Sequence, residues 1–357
     1  MLRPGIVRIS AALLALLLLS AGKASAQPAC GDTVTGKVEL TADLSCPDVG
    51  LVVGADKTRI DLQGFTLAGN PGTLGIDNGG GFDSVTIENG RIEEFDECIS
   101  IGGNAQKNVV SGIVAFGCSA DGIDLNDSDL SRVVDTLVTA NGAAGIQIGD
   151  GGTGNRVESS SAIGNAVAGI QIEGSDNTVS KSTVTANGEG ILVLGNGNTL
   201  SGNGIYRNEG DGIHVQGDDN ELVKNSATGN LLEGIELQGA ARGVLEKNQS
   251  SGNREIGIRI AQDSDDAVVK KSTTAGNSVS GIVVEGDCDG ALLERNTSTG
   301  SLLAGIATSN ASTTLRKNTA HANLGQGIVA PVGVIDAGGN RASHNPDEDC
   351  SPSVACN

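Results

Sequence analysis

"EGILVLGNGNTLSGNGIYRNEGDGIHVQGDDN", Glu189 to Asn220, states the same phrase twice: Gly190-Ile191-Leu192-Val193 returns 22 residues later as Gly212-Ile213-His214-Val215. Outward from this stretch the phrase recurs as "GIDL" at Gly122, "GIQI" at Gly145 and Gly169, "GIEL" at Gly234, "GIRI" at Gly257 and "GIVV" at Gly281. Weaker copies stand at Gly75, Cys98, Gly305 and Gly327. The nine intervals from Gly122 to Gly327 cover 205 residues, a mean near 22.8. Self-similarity at such a period is the mark of stacked repeats. Each unit holds two further short apolar alternations, one of them centred on Val157, Val179, Leu200, Leu222 and Leu245, bounded by Asn, Gly, Ser and Asp. The period leaves room for three strands of about four residues and none for a helix.

Two polar columns run with the repeat. Nine residues before the signature glycine stand Thr136, Ser160, Asn203, Asn225, Asn248, Ser272, Asn296 and Asn318; four before it stand Asn141, Asn165, Asn208, Asn230, Asn253 and Asn277. Asn tolerates left-handed backbone at a bend and can hydrogen-bond along a stack, so these are read as structural ladders. A single unit cannot bury its apolar face, but coils stacked at ~4.8 Å enclose one column of Ile, Val, Leu and Ala. The expected fold is therefore an all-β solenoid of parallel strands with about twelve coils, near 55 Å long at that spacing.

Arg3 and Arg8 precede an apolar stretch, Ile9 to Ala21, and Ala24-Ser25-Ala26 follow, which reads as a signal peptide over residues 1–26. With Arg3, Arg8 and Lys23 removed, 20 basic residues face 43 acidic ones, about −23 in net charge. Such a surface disfavours nucleic acid and anionic membranes. Export permits disulfides. Cys30 with Cys46, and Cys350 with Cys356, are read as staples on the two ends; Cys98 and Cys118 are read either as a third pair or as small buried hydrophobes, with Cys288 left over. Residues 27–57 are expected to cap one end, 58–340 to form the solenoid, and 341–357 to cap the other.

In Gly-Ile-x-Val the Ile and Val point inward and x outward. The outward column then reads Ser100, Asp124, Gln147, Gln171, Leu192, His214, Glu236, Arg259, Val283, Ala307, Val329; a second, just before each glycine, includes Asp121, Ala144, Ala168, Glu189, Asp211, Glu233 and Ile256. The candidate catalytic patch is Asp211, His214, Glu233, Glu236 and Arg259. Here His214 beside Glu236 would move protons, and Arg259 would hold a uronate carboxylate. Stacked carboxylates at Glu189, Asp211 and Glu233 are the candidate calcium ligands; no other cofactor is expected. Against this stands an ordinary solvated face in which Glu236 pairs with Arg259 across adjacent strands.

The Gly-Ile-x-Val coil, "TRIDLQGFTLAG" (Thr58 to Gly69) and "VTIENGRIEEFDECISI" (Val85 to Ile101) resemble the right-handed parallel β-helix proteins of the pectate-lyase-like superfamily, and nearest its NosD-like branch. The resemblance implies a right-handed solenoid; its functions range over lyases, hydrolases, epimerases and adhesins. Polygalacturonase-like motifs are incomplete: Asn198-Thr199-Leu200, Gly217-Asp218-Asp219 and Arg259-Ile260-Ala261 lack an Asp, a Lys and the Gly-His-Gly. The Asp-Pro-His of alginate epimerases is absent, and His214, His321 and His344 are too scattered for the copper role linked with NosD-like proteins. The expectation is an exported protein, periplasmic or secreted, with a structural, surface-binding or carbohydrate-binding role; the alternative is a polysaccharide lyase, hydrolase or epimerase acting through the central patch. The partner would be a polysaccharide or a cell-surface component.

Overall fold

The computed structural model describes residues 27–356; the expected signal peptide lies outside them. Each coil contributes one strand to a 15-stranded parallel sheet, which runs from Thr33–Val34 to Glu348–Cys350 and holds every signature strand. The other 26 strands line the two remaining sides of the coil. Those two sides run into each other only where Thr86–Glu93 and Val109–Phe116 continue through the corner. Among the described residues there is no helix. All pairings between coils are parallel, and their register matches the repeat: Ile191 opposes Ile213, Leu192 opposes His214, and Val193 opposes Val215.

The glycine of the repeat has a steric cause. A methyl group on Gly212 would stand 2.5 Å from the carbonyl oxygen of Gly234, so only glycine lets successive coils stack this closely. Behind it, Ile191, Val193, Ile213, Val215, Ile235 and Leu237 are fully buried in one continuous aliphatic core. Thin coils of Ile, Val and Leu fill this space without large rings, and Phe95 is the one aromatic wholly inside.

Corners are built from a residue in left-handed backbone followed by a ladder residue. Lys224 (φ 56°) precedes Asn225, and Arg207 (φ 54°) precedes Asn208. Asn203 donates from both its backbone N–H and its side-chain amide to Asn225 Oδ1 (3.0 Å each), and Asn225 does the same to Asn248. A third ladder, Asn155, Asn177, Asn198 and Asn220, closes the remaining corner. All of these side chains are buried, and the ladders supply the donors and acceptors that the bends leave unpaired.

A 15-stranded sheet makes about 14 turns, not about twelve, and a rod near 67 Å at ~4.8 Å per coil. The undercount has a local reason. Leu51–Val53 pairs with both Thr33–Val34 and Ile76–Asn78, and Glu348–Cys350 pairs with Gln326–Val329, yet neither outer strand carries Gly-Ile. Disulfides join Cys30 to Cys46, Cys98 to Cys118 and Cys350 to Cys356; Cys288 is free and buried. Three disulfides mark a chain that matures in an oxidising compartment, outside the cytoplasm.

Candidate functional site

On the solvent side of the signature sheet, backbone pairing sets the outward column in consecutive register: Ser100, Asp124, Gln147, Gln171, Leu192, His214, Glu236, Arg259, Val283. The column just before the glycines lies beside it, and its carboxylates do structural work. Asp211 N–H donates to Glu189 Oε2 (2.7 Å), Glu233 N–H donates to Asp211 Oδ1 (2.8 Å), and Ala144 N–H donates to Asp121 Oδ1 (2.7 Å). Each carboxylate thus caps the backbone of the next coil where the chain bends into the strand.

The central patch of the sequence reading is a contiguous cluster. His214 Nδ1 stands 3.6 Å from Asp211 Oδ2, and its Nε2 stands 3.8 Å from Glu236 Oε2. The same Nε2 is within hydrogen-bonding distance of Gln238 Oε1 (3.1 Å) and the amide of Gln216 (3.3 Å). Arg259 donates to Glu236 Oε1 (2.7 Å) and, through Nε and Nη2, to Glu285 Oε1 (2.9 and 2.6 Å), with Glu233 3.6 Å away. Asp211 and Glu236 are only 3% and 4% exposed although they lie on the outer side of the sheet. Burial, reinforced by Glu189, Glu233 and Glu236, holds the Asp211 carboxyl far above the usual range, and burial likewise raises Glu233 and Glu189.

Two expectations change. Arg259 is enclosed by Glu233, Glu236 and Glu285, so its fork is already occupied and it does not stand ready for a uronate. Glu285 follows its strand and Gln238 ends one, where the sequence looks like a turn, and neither stands in an outward column of the repeat. The ligand set expected for calcium also differs: the groups that converge, within 4.8 Å of one another, are Glu189, Asp211 and His214, while Glu233 faces Arg259. In that group two carboxylates, each with one oxygen already holding a backbone N–H, stand with an imidazole. Asp218 and Asp219, which gave the partial Gly-Asp-Asp match, are half-buried and exposed respectively and are bound by Arg242 at 2.7–3.0 Å.

A second carboxylate centre lies four strands away on the same face and was read only as column members. Asp121 and Asp124 are each 8% exposed, and burial raises them to about 6 and about 7. Between the two centres the column presents Gln147, Gln171 and Leu192.

The family model for the right handed beta helix region matches residues 46–180 and 168–320. Among solved structures, a mutant tailspike protein of E. coli bacteriophage HK620 in complex with pentasaccharide is 12% identical, with 83% of this chain and 72% of that one covered at a TM-score of 0.54. The catalytic domain of a GH87 alpha-1,3-glucanase in complex with tetrasaccharides is 14% identical over 91% of this chain and 62% of that one, TM-score 0.52. The mannuronan C-5 epimerase AlgE6 A-module of Azotobacter vinelandii is 14% identical over 91% and 89%, TM-score 0.46. At such identities the likeness speaks for the fold alone, and it does not single out the NosD-like branch. No curated protein matches the chain. The family match spans well over half of the sequence, and the chain belongs to the right handed beta helix family.

Proposed function

We infer that this is an exported saccharide-binding β-helix whose ligand lies along the outer side of the signature sheet. The observation that carries the reading is the cluster of Asp211, His214, Glu236, Gln216 and Gln238 on an open sheet face. There, the buried carboxylates of Asp211 and Glu236 and the more open His214, Gln216 and Gln238 hold one another in place, between Leu192 on one side of the column and Arg259 on the other. Carboxylates, amides and an imidazole accept and donate to sugar hydroxyls, and such groups, fixed by their supports, give orientation and specificity. Two β-helix neighbours were solved with oligosaccharides, which supports the choice of ligand class. Cleavage after Ala26 and release to the periplasm or the exterior complete the reading.

A second reading, catalysis, is favoured by one feature: Asp211, whose carboxyl burial and neighbouring glutamates push well above the usual range, stands 3.6 Å from His214, the arrangement of a paired acid and base. The test of both is a broad glycan panel screened for binding and for cleavage or epimerisation, with wild type and Glu236→Gln. Binding that Glu236→Gln weakens, without turnover, supports the first reading; turnover abolished by Asp211→Asn supports the second; silence across the panel overturns both.

A further inference from the structure

The second carboxylate centre has a feature the first lacks. Asp124 stands on the outer side of the sheet, because Ile123 and Leu125 on either side of it are core. Its Oδ1 is buried and has no hydrogen-bond partner. Glu97, Asp121, Glu173 and Asp127 all act on its charge in the same, unfavourable direction. Among the described residues, none of these five carboxylates is in an ion pair with Lys, Arg or His. A buried acceptor without a donor is costly, and with no cation among the neighbours a positively charged donor from outside the chain, meeting the more open oxygens of the pair, would relieve the accumulated charge.

We propose that Asp121 and Asp124 form an anchoring subsite for a protonated amine on a saccharide, so that the face takes amine-bearing rather than uronate-bearing polysaccharide. The assignment rests on the saccharide reading above and names its ligand class. A metal ion fits less well: among the described residues, the one group of three metal-ligating side chains within reach of one another is at the central cluster, not here. Of the four oxygens of the pair, Asp121 Oδ1 already accepts Ala144 N–H. An ammonium carries three donors on a compact centre and needs no further ligands of fixed geometry. The rest of the face agrees. Its cation, Arg259, is taken up by three glutamates, so a uronate would meet carboxylates without a free partner. Gln147 and Gln171 lead from Asp124 toward His214 over four strand steps, about 19 Å at ~4.8 Å per step, a path long enough for several sugar rings. The excess of acidic residues, 43 against 23 basic, steers a polycation toward the surface.

The test is calorimetric titration of the mature protein at about pH 7, where such amines are still largely protonated and the two aspartates can ionise, with a glucosamine hexamer, its N-acetylated counterpart, an oligogalacturonate, and calcium chloride alone. The glucosamine hexamer is expected to bind about tenfold or more tightly than the N-acetylated one, the scale of one charge-assisted hydrogen bond. Asp124→Asn, which keeps the shape and loses the charge, is expected to remove that preference, and Asp121→Asn to reduce it. The assignment is overturned if the N-acetylated or uronate oligomer binds as well as the amine, or if calcium alone binds with an affinity that Asp124→Asn abolishes. Either result leaves the saccharide reading standing, which falls only if the broad panel is silent.

Discussion

Asp124 and Asp211 are carboxylates that the fold buries on a face it could have left wet, and each opposes folding once ionised. For Asp124 the folded value of about 7 lies above the ordinary 3.8. Below 3.8 both states are protonated and nothing is lost. As pH rises from there the unfolded chain ionises first, and the folded state loses ground until pH passes 7. Asp124→Asn is therefore expected to stabilise the protein at pH 8, on the order of 3 kcal/mol, and to be neutral near pH 3, as read from urea midpoints at the two pH values. A destabilised variant at pH 8 would mean that the aspartate has a donor after all. Arg259 is the opposite case. Arg259→Met would leave Glu233, Glu236 and Glu285 facing one another and is expected to cost about 2–3 kcal/mol at pH 8, with the loss shrinking as the medium is acidified. The sequence made these residues legible as members of outward columns, because strand alternation is a rule of period two. It could not show that Glu285 reaches back to Arg259 or that Asp124 is covered, since both depend on side-chain paths across coils about 23 residues apart.

At the scale of the strand and its corner, the ladders carry specificity. Asn225 Oδ1 receives the backbone and side-chain N–H of Asn203, and its own amide donates to Leu200 O (2.8 Å) and Asn248 Oδ1 (3.2 Å). Asn225→Ala strands a buried N–H and a buried C=O, so a loss of about 2–4 kcal/mol is expected in chemical denaturation. Thr228→Ala, at a half-buried hydroxyl that only meets Ser251, should change stability by less than about 0.5 kcal/mol. Equal effects from the two would remove the ladder account. Two of the three ladders were legible because Asn recurs at a fixed offset from Gly-Ile. The third hid among Gly and Asp in a corner of variable composition, and the outermost coils hid because Leu51 and Cys350 stand where the repeat has Ile.

At the scale of the molecule, a stack of coils is held by neighbour contacts, so its ends are its weak points. Cys30–Cys46 and Cys350–Cys356 close loops in the first and last coils. Reduction is expected to speed amide exchange in residues 27–57 and 335–356 while the coils around Ile213 and Ile235 stay protected; uniform acceleration would show instead that the rod opens as one unit. The same geometry separates the faces by direction, which decides the functional question. The measurement that does so most directly is saccharide affinity, by titration calorimetry, for paired variants on two sides of the central coils: His214→Ala with Glu236→Gln on the signature sheet, and Thr185→Ala with Thr228→Ala on another side. A ligand along the signature sheet predicts at least about a tenfold loss for the first pair and none for the second. Loss confined to the second pair, or equal loss in both, would contradict it.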